Sequence, residues 1–179
     1  MSNAAGAFLV LHARDPEWVP QSLKTFEQHL REAGLIGREI QSAIFSTGPA
    51  YLELVTYLGC SPQISLGETE AATVIRFSEP GNSPKFRSGR SIKPRCPECR
   101  KSFQLDEKPR QPGEAICCPH CGKSNEAIKL GWRRKAAFGR FFIEISNVFE
   151  SEAVPGETLL DKLGSATGQA WEYFYWQDN

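Results

Sequence analysis

Long apolar runs, enzyme signatures and net charge are what this sequence lacks. No apolar stretch approaches the ~20 residues that cross a bilayer as a helix, so no membrane partner is expected. The first residues, Met1-Ser2-Asn3-Ala4-Ala5-Gly6, carry neither the basic start nor the apolar core of a secretory signal. A cytoplasmic location is the expectation. Glycine-rich phosphate loops, a His-Glu-x-x-His helix and a Gly-x-Ser-x-Gly elbow are all missing, so the enzyme classes built on them drop out. Formal net charge is +0, from 21 cationic and 21 acidic side chains. The 40% hydrophobic and 23% charged content is that of an ordinary globular chain, and 179 residues suffice for one domain plus a small module.

What is present is a pair of cysteine knuckles. Cys96-Pro97-Glu98-Cys99 is answered, after eighteen intervening residues, by Cys118-Pro119-His120-Cys121-Gly122. Two Cys-x-x-Cys pairs at this spacing place four thiolates where one tetrahedral ion can collect them. Pro97 and Pro119 fix the entry to each turn, and Gly122 supplies the positive φ a knuckle needs. One structural Zn²⁺ suits four soft thiolates in a closed site, with iron in a rubredoxin-like site as the alternative. Four of the six cysteines in metal spacing, rather than a scattered even set, also favour a reducing compartment.

The segment from Cys96-Pro-Glu-Cys-Arg-Lys-Ser-Phe103 to Glu114-Ala-Ile-Cys-Cys118-Pro-His-Cys-Gly122 resembles the zinc-ribbon superfamily. It is similar to the small bacterial ribbons with an aromatic residue four positions after the second cysteine. The resemblance covers about a sixth of the chain and implies Cys96, Cys99, Cys118 and Cys121 as ligands. Ribbons serve in nucleic-acid binding, protein docking and purely structural roles, so the likeness carries no activity. Cys117 adjoins Cys118, but strand neighbours face opposite ways, and the Cys-Pro-x-Cys-Gly turn selects Cys118. His120 is expected at the turn tip, facing solvent.

The zero net charge conceals a split. Residues 84–140 carry fifteen Lys and Arg against five acids, a surplus of +10, and the rest of the chain is −10. Such asymmetry points to a polyanion-binding module on an acidic body, or to a basic module docked against that body. Arg90, Lys93, Arg95, Arg100 and Lys101 lead into the first knuckle, and Arg133, Arg134 and Lys135 follow the ribbon beside Trp132. These are the candidate phosphate contacts, with Trp132 and Phe103 as stacking or core aromatics.

In chain order, residues 7–12 read as a buried strand and Pro20 to Gly34 as an amphipathic helix with Leu23, Phe26 and Leu30 on one side. Strands are expected at 38–46, 51–58 and 72–78. Residues 81–94 read as a basic linker without capacity for a core. The ribbon spans 95–130, with strands at 103–105 and 114–117 and a third at 127–130, and 131–135 form a basic return link. A central strand at 138–148, a short helix at 158–163 ended by Gly164, and an aromatic strand at 169–176 complete the chain.

That order resembles a split β-α-β pattern. The expected fold is α+β, an antiparallel sheet with helices in a ferredoxin-like body, residues 1–80 plus 136–179, with the zinc ribbon inserted. Cys60 lies just past a strand end with no histidine following it in the body, so it reads as a small buried hydrophobe rather than a nucleophile. His12, Asp15 and Glu17 read as a turn. The expected function is non-enzymatic: a zinc-binding protein whose basic ribbon binds DNA, RNA or a nucleoprotein particle. The alternatives are a protein-interaction adapter with a structural zinc and, third, an enzyme using a cleft in the body.

Overall fold

In a computed structural model, which describes residues 6–58, 64, 66, 72–89 and 92–177, the chain is organised around one antiparallel sheet. Cys60 and Arg90 lie outside the described residues. The elements, in order, are β1 (Ala7–Ala13), α1 (Leu23–Glu32), β2 (Ile36–Gln41), β3 (Ile44–Thr47), α2 (Tyr51–Leu54), β4 (Val55–Tyr57), β5 (Val74–Phe77) and β6 (Lys85–Ser88). There follow β7 (Ala115–Cys117), β8 (Ser124–Glu126), β9 (Ala136–Gly139), β10 (Ile143–Ser146), β11 (Ala153–Pro155), α3 (Glu157–Thr167) and β12 (Trp171–Gln177). The main sheet has the order β12-β1-β10-β5-β3-β2. Its first four strands pair antiparallel throughout, which is the split β-α-β arrangement, and the α+β class holds. Among the described residues, no helix is long and apolar enough to cross a membrane.

β1 is buried along its whole length because both faces of the sheet are covered. Leu9 and Leu11 face the helices and share a core with Phe26, Leu30, Ile75, Ile143, Ile145, Leu159, Leu163 and Trp171. The first helix follows its sequence pattern, except that it starts at Leu23 rather than Pro20 and leaves Leu23 exposed. Ser22 Oγ caps it by accepting from Thr25 N, Phe26 and Leu30 are its buried stripe, and Gly34 follows with φ 79°. On the opposite face, Phe8 and Val10 pack with Phe142, Phe174 and Ala137.

The cover on that second face is β9, which pairs antiparallel with β6. Residues 85–88, within the stretch expected to be linker, are thus a strand. The Phe86 ring packs tilted against Phe138, centroids 4.8 Å apart, and gives the segment a core contact that composition alone had hidden. Arg87 pairs with Glu144, and its guanidinium lies 5.3 Å from the Phe142 ring and 5.1 Å from that of Trp176. The cysteine segment leaves and returns through β6 and β9.

Several elements depart from expectation for identifiable reasons. Residues 38–46 belong to a hairpin, not one strand, because Ala43 takes φ 59° and its amide donates to Glu39 Oε1. Residues 51–54 are a helical turn before β4. Tyr51 and Leu54 are buried at three-residue spacing, and Leu52 between them is half exposed. The turn is held by Gly48, where a Cβ would stand 2.3 Å from the Gly34 carbonyl oxygen. The stretch 138–148 is split between β9 and β10, since Phe141 enters one core and Phe142 the other. Helix α3 runs through Gly164 to Thr167 and ends at Gly168, φ 68°. The aromatic strand β12 lies at the sheet edge and is apolar on both faces because each has its own core.

Candidate metal centre

The cysteine segment has almost no core of its own. Cys96, Phe103, Cys118 and Leu130 form its buried cluster, with Leu105, Ile116 and Trp132 partly buried around them. Phe103 and Trp132 are therefore packing residues first. Trp132 is held by its indole N–H, which donates to the Ala127 carbonyl at 3.1 Å, and by the Phe86 ring 4.7 Å away. The expected strands at 103–105 and 127–130 are absent: Ser102 and Gly131 make single bridges to Arg95, and residues 127–129 are one 3₁₀ turn. β7 and β8 form the one hairpin of the segment.

The two knuckles repeat each other. Arg100 N–H donates to the Cys96 carbonyl at 3.0 Å, and Gly122 N–H to the Cys118 carbonyl at 2.9 Å. Cys96 N–H donates to Lys101 O, and Cys118 N–H to Lys123 O. Arg100 and Gly122, each following a second cysteine, both take the left-handed conformation, φ 61° and 71°. Glycine is suited to that region, whereas an arginine there carries about 1–2 kcal/mol of backbone cost.

This repetition brings four cysteines into position to hold a metal ion. The Sγ atoms of Cys96, Cys99, Cys118 and Cys121 lie within 4.8 Å of one another. Cys96 and Cys121 stand 3.8 Å apart and Cys99 and Cys118 3.7 Å, so each knuckle's first sulfur meets the other's second. Four sulfurs bound tetrahedrally at about 2.3 Å sit roughly 3.8 Å apart, and the observed edges fit that donor set.

Thiolates this close need either protons or a cation between them. Burial raises the Cys118 thiol, but the amides of His120 and Cys121 and the thiols of Cys99 and Cys121 overcome it, pushing it down to about 6. The Lys123 amide acts to lower Cys121, yet burial and the three neighbouring sulfurs push it up to about 11. One thiolate forms readily and the next resists, the behaviour of sites that share charge. A divalent cation removes that conflict.

The neighbours fall outside the cluster. Cys117 is exposed, with its thiol 3.6 Å from the Gly122 carbonyl. His120 is exposed and its Nε2 lies 3.2 Å from Ser102 O. Asp15 closes a turn by accepting from Glu17 N, and His12 sits apart from it on β1.

The basic residues divide into two groups. Arg87, Lys135 and Arg140 are turned onto the body, pairing with Glu144, Glu150 and Glu17. Lys93, Arg95, Arg100, Lys101 and Arg133 are exposed and make no ion pair among the described residues. Arg95, Arg100 and Arg133 line two hollows that share residues 128–134, whereas Lys93 and Lys101 line neither. Lys129 and Gly131 line the first with Arg95 and Arg100, in a hollow of ≈ 260 Å³. Ile128, Leu130 and Trp132, the alternate residues, line the second with Arg133 and Arg134, and its far wall is His12, Arg14, Glu172 and Tyr173 of the body. Nothing in the sequence joined those four body residues to Lys129 and its neighbours: only the fold brings β1 and β12 beside residues 128–134. Comparison of the chain with family models, with curated proteins and with solved structures finds no match.

Proposed function

We propose that Cys96, Cys99, Cys118 and Cys121 hold one structural Zn²⁺ in a ribbon-type module, and that the basic surface of this module binds nucleic acid or a nucleoprotein particle. The metal part rests on sulfur spacing and on soft donors with no place left for a water or substrate. The nucleic-acid part rests on one observation, the gathering of Arg95, Arg100, Lys129, Arg133, Arg134 and Arg14 around two hollows that share residues 128–134. Cations spaced along a strip neutralise successive phosphates without reading base sequence.

Fluorescence anisotropy of the zinc-loaded chain with single- and double-stranded DNA and RNA tests this. About four phosphate contacts predict roughly a hundredfold loss of duplex affinity between ~50 and ~200 mM salt. Arg100→Ala and Lys129→Ala each flatten that slope. Absence of binding at the lower salt overturns the reading. A second reading, an adapter whose zinc only shapes a docking module, is favoured by the pairs that tie Arg87, Lys135 and Arg140 to the acidic body, since they spend part of the basic surplus internally. It predicts a stable protein partner and no salt-sensitive polyanion binding.

A further inference from the structure

The second hollow, on the seam between the cysteine module and the body, has features that phosphate neutralisation does not require. Its volume is ≈ 280 Å³, at the low end of the roughly 300–1,000 Å³ of small-molecule sites. Trp132 and Tyr173 line it with aromatic surface, and Arg14, Arg133 and Arg134 line it with guanidinium groups, opposed by the single carboxylate of Glu172.

His12 decides what such a hollow can recognise. The residue is 8% exposed, packed by the Phe174 ring at 5.9 Å and the Phe142 ring at 6.4 Å, and it lines the hollow. Its Nδ1 lies 2.9 Å from the Ala13 carbonyl, which fixes the proton on that nitrogen. Nε2 is then an acceptor, and it has no protein partner among the described residues. Burial lowers the affinity of the ring for a second proton, so the neutral acceptor form persists. An acceptor in the lining of a cationic, aromatic hollow cannot serve a bare anion. It needs an N–H or amine donor on a flat, stackable group that also carries negative charge.

The arginines at the rim are held there by unusual backbone. Arg133 and Arg134 both have positive φ, 54° and 57°, in a turn closed by Lys135 N–H on the Trp132 carbonyl at 3.0 Å. Glycine, asparagine and aspartate dominate such turns, and paired arginines persist only where the surroundings enforce them. The enforcing contacts are visible. Tyr175 N–H donates to the Arg134 carbonyl at 3.0 Å, and the Arg134 guanidinium lies 4.5 Å from the Tyr173 ring centre. Arg14 pairs with Glu172 at 2.8 Å, an exposed pair of the kind that yields readily to a phosphate.

We propose that this seam hollow binds one nucleotide, with an N–H-bearing base edge against His12 Nε2 and its phosphate against Arg133 and Arg14. The nucleotide comes either as a free nucleoside monophosphate or as an unpaired residue of a single strand, and the second source rests on the nucleic-acid reading above. A paired base cannot enter, because its donor edge is already used and the hollow admits one ring system.

Calorimetric titration of the zinc-loaded full chain with AMP, CMP, GMP and UMP, against ribose 5-phosphate and inorganic phosphate, tests the pocket. Anisotropy of a labelled short single-stranded oligonucleotide, with mononucleotide as competitor, tests the second source. At least one nucleoside monophosphate binds about tenfold tighter than ribose 5-phosphate, and Arg133→Ala weakens it by about tenfold. His12→Phe, checked for folding by circular dichroism, erases the preference for nucleotide over ribose 5-phosphate. Arg133 is exposed, so its variant keeps the test decisive should the His12 variant fail to fold. Nucleotide binding without oligonucleotide binding supports the pocket and ends the nucleic-acid reading. Oligonucleotide binding that neither mononucleotides nor Arg133→Ala disturb overturns the pocket and leaves that reading standing. Inorganic phosphate binding as tightly as nucleotide, or no binding by any of these ligands, also overturns it.

Discussion

The repeated knuckles invite an exchange that separates backbone energy from metal chemistry. Arg100 and Gly122 occupy equivalent left-handed positions and neither supplies a ligand. A Cβ at Gly122 would meet nothing within 4 Å, so Gly122→Ala adds backbone cost without a clash. That cost is about 1–2 kcal/mol, offset by roughly 0.5–1 kcal/mol of glycine entropy no longer lost on folding. The net is destabilisation by about 1 kcal/mol. Arg100→Gly reverses both contributions and stabilises by a similar amount, since the amide that donates to Cys96 O is retained. Metal binding and folding of so small a core are one equilibrium, so the backbone energy appears in the metal dissociation constant. Competition with a chromogenic chelator at neutral pH reads it: about fivefold weaker zinc binding for Gly122→Ala and about fivefold tighter for Arg100→Gly. Unchanged affinity for the first and weakened affinity for the second would refute the equivalence of the knuckles.

Other expectations follow from the same geometry. Cys96→Ser releases the metal and unfolds the module, since ~10 kcal/mol or more of zinc affinity is folding energy in such units. Far-ultraviolet dichroism then retains the helix signal of the body, and complete unfolding counts against two independent cores. Arg87→Met leaves the Glu144 carboxylate, buried at 7% exposure, unpaired, and costs about 2 kcal/mol in urea denaturation; adding Glu144→Leu restores most of it. Tyr51, buried and bonded to the Tyr57 hydroxyl at 2.9 Å, titrates above the usual tyrosine range because burial disfavours the phenolate. Its contribution is complete below pH ~10 and is lost as pH rises beyond that, so alkaline unfolding shifts upward in Tyr51→Phe. His12, lowered by burial, contributes stability above pH ~6.5 that is lost as pH falls, because the unfolded chain then binds the proton the fold refuses. His12→Phe flattens the stability profile below that pH, as denaturant titrations will show.

The parts of the fold legible in the sequence were those whose signal is local. Phe26 and Leu30, with Gly34 after, carry α1 in a single window, and the knuckle spacing carries the sulfur cluster. Tyr51–Leu58 misled because aromatic and β-branched residues suit a strand equally well. What makes 51–54 helical is the backbone contact of Gly48 with Gly34, fourteen residues away. The linker 81–94 looked coreless because Phe86 is its one aromatic residue, and the partner that gives it value, Phe138, lies across the whole cysteine segment. The second hollow was invisible for a related reason. His12, Arg14, Glu172 and Tyr173 meet residues 128–134 only because β1 pairs with β12 and the module returns along β9.

That arrangement would give the proposed metal a reach beyond its own ligands. Residues 128–134 form one wall of both hollows, and their position depends on the bridges from Arg95 to Gly131 and on Leu130 packed against Cys96 and Cys118. Removing the ion loosens that small core, and with it the wall, while His12 and Tyr173 stay fixed in the main sheet and Arg14 beside it. Chelation should therefore abolish binding at both hollows, the first of which is bordered by Cys96 itself, and the half-site left on the body should retain no measurable affinity. If instead the chelated protein binds polyanions unchanged, the wall does not depend on the sulfur core, and the cysteine module is a neighbour of the binding surface rather than its frame.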